Sequence, residues 1–405
     1  MNEAYDLVVI GSGPAGQSAA SVASAFGHRS IIVEANKPGG AVTTTGGAPT
    51  KTLREAALYF TGFHEREIYG VTITAPPDVA PAKIRERAHS VSELLQRVIR
   101  EQISDWGIEY VEGTARIGPD RTVVVTLPNG AERTLQAKVI VVASGSRPLR
   151  PANIPFDDPA VFDTDDVFAI GRLPADLLIV GGGPVGVEFT TIFRALGVNV
   201  RLCNREERLL PMMDGEIAER LASLFAHWGV ELFLGAGTDS VQRRDDKLAV
   251  ALSSGVKFET DAVLFAAGRV ANTDGLRLHE AGVQLDGRGR ILVDADFRTT
   301  ADGIYAVGDV IAPTLASIAM EQGRVAACHA FDIPFKEVVD PLSVSAVYGM
   351  PEVAGAGLTE EQCRAANIEY EVGRSELAIT ARGAITGHGG LLKLLFRKDD
   401  RRLLG

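Results

Sequence analysis

The chain has 405 residues, of which 46% are hydrophobic and 43 are glycine, and its formal net charge is -11. This composition favours an α/β protein of two or three domains, and the negative charge excludes a general nucleic-acid binder, which needs a basic surface. No apolar run approaches the roughly 20 residues that span a bilayer, and the acidic start MNEAYD is unlike a secretory signal, so we expect a soluble cytoplasmic protein without a membrane partner.

The first elements in chain order are those of a dinucleotide-binding unit. The segment YDLVVIGSGPAGQSAASVASAFGHRSIIVE predicts a strand, a glycine turn, a helix and a second strand. Gly11, Gly13 and Gly16 permit a tight turn, approach of a pyrophosphate to bare backbone, and close packing of helix on strand. Glu34 ends the second strand, where a carboxylate can accept hydrogen bonds from the ribose hydroxyls of an adenosine.

The same plan occurs again in DLLIVGGGPVGVEFTTIFRALGVNVRLCN, with Gly181, Gly183 and Gly186 at the turn. Two such turns, each between a predicted strand and a predicted helix, indicate two dinucleotide sites. In the second copy, Asn204 replaces the acidic residue and removes a charge that would repel a 2'-phosphate. The nearby Arg205 and Arg208 would allow or favour binding of that phosphate. The alternative is that these arginines form a solvated turn with the glutamates between them.

Three later segments end strands in small or acidic residues. VIVVASGSRPLRP carries Ser144 and Gly145, and DAVLFAAGRVANTDGL carries Gly268, at points where a chain can pass close to a cofactor. In TTADGIYAVGDV, Asp309 follows an apolar strand and either binds a ribityl hydroxyl or caps a helix.

The cysteines are Cys203, Cys328 and Cys363. They are far apart in the sequence and have neither redox-pair nor metal-ligand spacing. We therefore expect buried free thiols and predict no metal site.

The order of GSGPAG, Glu34, the loop from Gly39 and Gly40 to Lys51, ASG, GGGPVGVE, AAGR and AVGD resembles the flavoprotein pyridine nucleotide-disulfide oxidoreductases. Within that family, KTLREAALYFTG, AMEQGRVAACHAF and YEVGRSELAITARG are similar to the soluble, Si-specific NAD(P) transhydrogenases. The resemblance implies a glutathione reductase-like α/β fold with two Rossmann-like domains. It assigns FAD to residues 1–155 and 285–340, NAD(P) to 156–284, and an incomplete α+β dimerisation domain to 341–405.

The resemblance also implies what the loop GGAVTTTGGAPTKTLRE does. The family pattern GGxCxxxxCxPSK places its two cysteines at Val42 and Gly47, so both redox cysteines are absent. Gly40 and Lys51 would contact FAD, with Lys51 beside flavin N5 and paired with Glu188. No disulfide is therefore present to take electrons from the reduced flavin. The resemblance then implies FAD-dependent hydride transfer between NADPH and NAD, both of which would be substrates.

Two other functions stay open at this point. One is a diaphorase-like oxidoreductase that passes electrons from NAD(P)H to a quinone, metal ion, dioxygen or other small acceptor, with Thr43 to Thr45 lining the acceptor's pocket. The other is a flavin-binding redox sensor without turnover. The family's His-x-x-x-x-Glu pair does not occur before Gly405. We expect the natural chain to continue, and a homodimer if this domain is complete.

Overall fold

The computed structural model describes residues 3–62, 70, 79–342, 344–387 and 389–405. Its helices are α1 (Pro14–Ala25), α2 (Ala41–Thr44), α3 (Ala48–Thr61), α4 (Val79–Asp105), α5 (Pro184–Ala195), α6 (Gly215–His227), α7 (Ala316–Ala330), α8 (Glu360–Ala365) and α9 (Ala381–Thr386). Short 3-10 turns lie at Pro119–Arg121, Val167–Ala169, Gly308–Val310 and Leu377–Ile379. Within the described ranges, no helix combines the length and the apolar content needed to cross a bilayer.

The strands fall into several separate sheets. They are β1 (Glu3–Ile10), β2 (Ser30–Glu34), β3 (Glu109–Glu112), β4 (Thr114–Ile117), β5 (Thr122–Thr126), β6 (Glu132–Val142), β7 (Ser146–Pro148), β8 (Val161–Asp163), β9 (Asp176–Val180), β10 (Asn199–Asn204), β11 (Glu231–Leu234), β12 (Thr238–Arg244), β13 (Lys247–Leu252), β14 (Lys257–Thr260), β15 (Ala262–Phe265), β16 (Arg269–Ala271), β17 (Ile304–Ala306), β18 (Val344–Val347), β19 (Val353–Ala356), β20 (Tyr370–Glu376) and β21 (Leu391–Arg397).

The chain divides into two compact units. The first consists of Met1–Thr50, Arg87–Arg147 and Arg269–Asp340, and the second of Lys51–Glu86, Pro148–Gly268 and Pro341–Gly405. The domain boundaries at 155, 284 and 341 that the sequence suggests remain predictions. Strand β16 pairs with β7. Within the second unit, the backbone N–H groups of Tyr348 and Met350 donate hydrogen bonds to side chains of α5.

The first unit is built on a sheet with the strand order β3-β2-β1-β6-β5-β4, and β17 also pairs with β6. Strands β2, β3, β6 and β17 run parallel in this sheet, with Ile10 of β1 opposite Val33 and Val142. Apolar side chains of this sheet contribute to two hydrophobic clusters. Helices α1 and α7 pack against one another and contribute to one of them. Such parallel strands bring their carboxyl ends to one edge, where loops can form a binding site.

The second unit has a parallel sheet in the order β11-β10-β9-β15-β8, together with an antiparallel meander of β12, β13 and β14. The phenylalanines of α5 and α6 fill one core, and the apolar faces of the meander fill another. Strand pairs β18–β19 and β20–β21 form two further hairpins.

A buried ammonium joins residues 341–405 to α6. The Nζ of Lys393 lies 2.7 Å from Asp214 and 3.0 Å from Glu216, and it also contacts Glu360. Burial alone would lower the pKa of Lys393, but hydrogen bonds to these three carboxylates raise it above its ordinary value. The carboxylate oxygens of these three acids lie as close together as the ligands of a metal ion would. In this structure the lysine cation occupies the position between them.

Candidate functional site

The first glycine turn leaves the amino terminus of α1 open. A Cβ added at Gly11 would lie 2.8 Å from the carbonyl carbon of Ala143, and one at Gly16 would overlap the Gly11 carbonyl oxygen. At Gly13, which precedes the helix, an added Cβ would meet no heavy atom of the described residues within 4 Å. The turn is therefore tight on its inner side and open in front of the helix. This is the shape that a pyrophosphate requires.

Glu34 holds this turn in place. Its Oε2 accepts hydrogen bonds from the backbone N–H and the hydroxyl of Ser12, both at 2.7 Å, and its Oε1 accepts one from Asn36 N at 2.9 Å. Carboxylate oxygens have further lone pairs, so Glu34 can still accept hydrogen bonds from ribose hydroxyls. Burial and the neighbouring Glu34 carboxylate raise the pKa of Tyr110 to about 12. Sequence reasoning missed Ser12, although it lies inside the glycine motif.

Three other segments that carry sequence-predicted FAD residues lie close to this turn or to the start of α1. A Cβ on Gly40 would lie 3.4 Å from Gly13 Cα, and one on Gly11 would lie 3.2 Å from Ser144 Cα. A Cβ added at Gly308, which is next to Asp309, would lie 3.2 Å from Ala15 Cβ. Gly145, with φ at +69°, borders open space among the described residues. Segments distant in the sequence thus meet at the start of α1.

The Asp309 carboxylate belongs to a network that the sequence did not indicate. Its Oδ2 accepts a hydrogen bond from the Ser146 hydroxyl at 2.7 Å, and its Oδ1 accepts one from Thr314 N at 3.0 Å. Arg269 donates to Ser146 Oγ at 2.7 Å, and its Nε lies 3.9 Å from Asp309. Asp309 does not cap the 3-10 turn in which it lies. Its orientation is fixed instead by residues on two other segments.

The loop after Gly40 is held by threonine hydroxyls. Thr43 is 1% exposed, and its hydroxyl donates to Pro38 O at 2.6 Å. The hydroxyl of Thr44 donates to Gly40 O at 2.9 Å, and that of Thr50 to Gly47 O at 2.9 Å. The hydroxyls of Thr43 and Thr44 therefore bond the loop's own backbone. This does not favour a pocket for an electron acceptor lined by Thr43 to Thr45.

The two positions at which the family carries cysteines lie against one another. A Cβ added at Gly47 would fall 2.6 Å from Val42 Cα and 2.9 Å from its carbonyl carbon. Real Cβ atoms do not approach backbone this closely, so glycine is needed at position 47 in this loop. The cysteines that are present, Cys203, Cys328 and Cys363, are free and buried, as predicted. Burial raises the pKa of the Cys203 thiol.

The second glycine turn repeats the geometry of the first. A Cβ on Gly181 would lie 2.5 Å from Ala266 O, and one on Gly186 would lie 2.9 Å from the Gly181 carbonyl carbon. At Gly183, before α5, an added Cβ would again meet no heavy atom of the described residues within 4 Å. Gly268, at φ +137°, follows β15 beside this turn. This gives the second unit its own opening at a helix amino terminus.

Asn204 has the role in the second unit that Glu34 has in the first. Its Oδ1 accepts a hydrogen bond from Gly182 N at 3.0 Å, and its Nδ2 donates to Arg208 O at 2.9 Å. The Arg208 guanidinium lies 3.0 Å from Glu361 and donates to Pro211 O at 2.8 Å. Arg205 is exposed. Arg208 would have to leave the Glu361 carboxylate before it could bind a phosphate, whereas the structure shows no such carboxylate partner for Arg205 among the described residues.

Lys51 and Glu188 are brought together within the second unit. Lys51 lies in the first turn of α3, and its Nζ is 3.0 Å from Glu188 Oε2. The Glu188 side chain is 11% exposed, and its Oε1 accepts a hydrogen bond from Tyr348 N at 2.9 Å. The Lys51 ammonium also lies 5.0 Å from the centre of the Tyr348 ring. Sequence reasoning predicted the Lys51–Glu188 pair and missed Tyr348, which no motif marks.

Two family models together match most of this chain. A family model described as pyridine nucleotide-disulphide oxidoreductase matches residues 5–323, and one described as the dimerisation domain of these proteins matches residues 343–405. A soluble pyridine nucleotide transhydrogenase from Mycobacterium bovis (strain BCG / Pasteur 1173P2) is 38% identical and covers 99% of this chain and 86% of the relative. One from Marinomonas sp. (strain MWYL1) is 35% identical over 99% of this chain and 87% of the relative.

Two solved structures have the same architecture. LpdA from Mycobacterium tuberculosis matches with a TM-score of 0.89 at 27% identity, over 99% of this chain and 88% of that chain. The Cu(II) complex of the HOCl-induced flavoprotein disulfide reductase RclA from Escherichia coli matches with a TM-score of 0.88 at 26% identity, over 100% of this chain and 88% of that chain.

Proposed function

Since this chain belongs to the pyridine nucleotide-disulphide oxidoreductase family, we propose that it is a soluble-type transhydrogenase that moves a hydride between NADPH and NAD through FAD, without a redox-active disulfide. It is an oxidoreductase of that family. The observation that carries the narrower proposal is the presence of Val42 and Gly47 at the two positions where the family carries cysteines, because no sulfur can take electrons from the flavin there. The names of its relatives support the same function.

The first unit has groups that fit FAD. We assign the pyrophosphate to the open amino terminus of α1, where the backbone around Gly13 is bare and the helix dipole favours negative charge. Glu34 would accept from the adenosine ribose and Asp309 from the ribityl chain, each with its orientation already fixed by protein hydrogen bonds. FAD, when bound, supplies a ring that accepts a hydride and returns it.

The second unit has groups that fit a nicotinamide nucleotide. Gly181, Gly183 and Gly186 leave a second open helix terminus for its pyrophosphate. Asn204 carries no charge to repel a 2'-phosphate, and the exposed Arg205 can supply a positive one. We therefore propose that NADPH is accepted at least as readily as NADH.

The Lys51–Glu188 pair supplies electrostatic stabilisation in this proposal. The family resemblance places Lys51 beside the flavin nitrogen that receives the hydride. A cation fixed there stabilises negative charge that develops during the transfer and needs no reorganisation at that moment. The contact with Glu188 at 3.0 Å fixes the position of the ammonium. We assign both residues to catalysis on this basis.

We also propose that the chain forms a homodimer through residues 341–405, which match the dimerisation domain of the family. Ile379 and Ile385 in this segment are 79% and 73% exposed, and a dimer interface in this segment would cover them. Sedimentation equilibrium of the chain measures this directly.

The test of function is anaerobic transfer from NADPH to thio-NAD, followed by the absorbance of the reduced analogue. We expect stoichiometric transfer that requires FAD and is unaffected by lipoamide or glutathione disulfide. Oxidation of NADPH only in the presence of a quinone or dioxygen would contradict the proposal and indicate a diaphorase. A flavin that NADPH does not reduce would indicate the sensor.

A further inference from the structure

One residue from the carboxy-terminal part of the chain contacts both members of the Lys51–Glu188 pair. Tyr348 donates its backbone N–H to Glu188 Oε1 at 2.9 Å, and its ring lies 5.0 Å from the Lys51 ammonium. Tyr348 follows β18, in the part of the chain that the dimerisation model matches. The three residues belong to the same compact unit.

The backbone contact fixes the carboxylate of Glu188. One oxygen bonds to Lys51 Nζ at 3.0 Å and the other accepts from Tyr348 N, so both ends of the carboxylate are engaged. Because Glu188 lies on the buried face of α5, its stem has little freedom of its own. The plane of the carboxylate, and with it the direction offered to Lys51, is therefore set from two sides.

The ring contact restricts the ammonium of Lys51. A lysine side chain has four rotatable bonds, so each contact that restricts its ammonium contributes to a defined position. An aromatic face within about 6 Å attracts the cation and excludes positions on its own side. The Lys51 side chain is 35% exposed, so the surrounding packing does not confine it completely. The Tyr348 ring restricts the ammonium further.

The position of Tyr348 is maintained independently of its ring. Met350 N donates to Thr191 Oγ1 at 3.2 Å, and Arg54 Nε donates to Gly349 O at 3.1 Å, which anchors the following residues to α5 and α3. Tyr348 itself is 46% exposed, so its ring contributes little to the core. Loss of the ring should leave the backbone of this segment, and the bond to Glu188, in place.

We propose that Tyr348 is a positioning residue for hydride transfer. Its ring acts together with Glu188 to hold the Lys51 ammonium in one orientation. This inference rests on the proposed function, in which Lys51 stabilises the developing charge. It adds to that function a contribution from the carboxy-terminal segment of the same protomer.

The first test compares the rate of flavin reduction by NADPH in Tyr348→Leu, Tyr348→Phe and the parent, by anaerobic stopped flow with full-length, FAD-loaded protein. We expect Tyr348→Leu to slow the limiting rate about threefold to tenfold, as for loss of one cation–π contact, with the Kd of NADPH unchanged. Tyr348→Phe keeps the ring and should stay within about twofold. Tyr59→Leu is the matched control, because Tyr59 is 81% exposed on α3 and should have no effect.

The second test does not depend on activity. Lysines of the FAD-loaded protein are dimethylated with 13C-formaldehyde, which keeps their charge, and the Lys51 signal is assigned by its loss in Lys51→Arg. A ring face close to the ammonium shifts the methyl resonances upfield. We expect this shift in the parent, in Tyr348→Phe and in Tyr59→Leu, and its loss in Tyr348→Leu.

The two measurements separate failure of this inference from failure of the proposed function. A Lys51 signal that is the same in Tyr348→Leu and in the parent overturns the positioning role, whatever reaction the enzyme catalyses. Equal limiting rates in those two proteins overturn it as well. Absence of NADPH-to-NAD transfer in the parent, with the Tyr348-dependent Lys51 shift still present, refutes the proposed function while the geometry of the pair stands.

Discussion

A side chain at position 47 should destabilise the loop that stands where the family carries its redox disulfide. In Gly47→Ala, the new Cβ would fall 2.6 Å from Val42 Cα and 2.9 Å from its carbonyl carbon. Both are backbone atoms, so neither can move aside as a flexible side chain would. Overpacking of this kind costs about 1 to 3 kcal/mol. At about 3 °C per kcal/mol for a unit of this size, the melting temperature should fall by about 3 to 9 °C.

Gly46→Ala is the matched control for this substitution. Its added Cβ would lie 3.9 Å from Ala41 O, which is ordinary contact distance, and the reduced entropy of the unfolded chain should stabilise the protein by about 0.4 to 1 kcal/mol. The assay is thermal unfolding of both variants and the parent with saturating FAD, followed by circular dichroism. Equal melting temperatures for the two variants would refute the reasoning that the contact with Val42 requires glycine.

Three further outcomes are expected. Lys51→Met should slow anaerobic flavin reduction by NADPH about 100-fold, because a fixed charge near the reacting atoms is lost; an unchanged rate removes Lys51 from catalysis. Arg205→Ala should raise the Kd of NADPH about tenfold and leave that of NADH within twofold, as measured by fluorescence titration; Arg208→Ala, whose guanidinium already faces Glu361, should not discriminate between them. The hydrogen bond from Arg374 lowers the pKa of Glu216 to about 2, so its stabilisation should be present above pH 4.5 and lost as the pH falls towards 2; Glu216→Gln should show a smaller acid-induced decrease in melting temperature.

The relation between the two glycine turns illustrates how far local sequence determines this fold. Each turn lies between a strand and a helix whose periodicity is local, and glycine is required because backbone approaches backbone. The repeat therefore predicted two Rossmann-like sheets, and the structure has one in each unit. The residues that close each turn, Glu34 and Asn204, occupy equivalent strand ends and could be predicted by position.

The partners of several site residues could not be read from the sequence, because they depend on which distant segments pack together. Arg208 was predicted to meet a phosphate or a neighbouring glutamate, but packing of residues 341–405 gives it Glu361.

The sequence by itself determined the two nucleotide motifs, the loss of both redox cysteines, and the pairing of Lys51 with Glu188 through the family pattern. Only the tertiary structure decided that Gly47 closes on Val42 and that Tyr348 contacts both members of the pair. The physical reason is range. Glycine turns and strand–helix periodicity arise from neighbouring residues, whereas a hydrogen bond or a cation–π contact between α5, α3 and the segment after β18 exists only after the chain has folded.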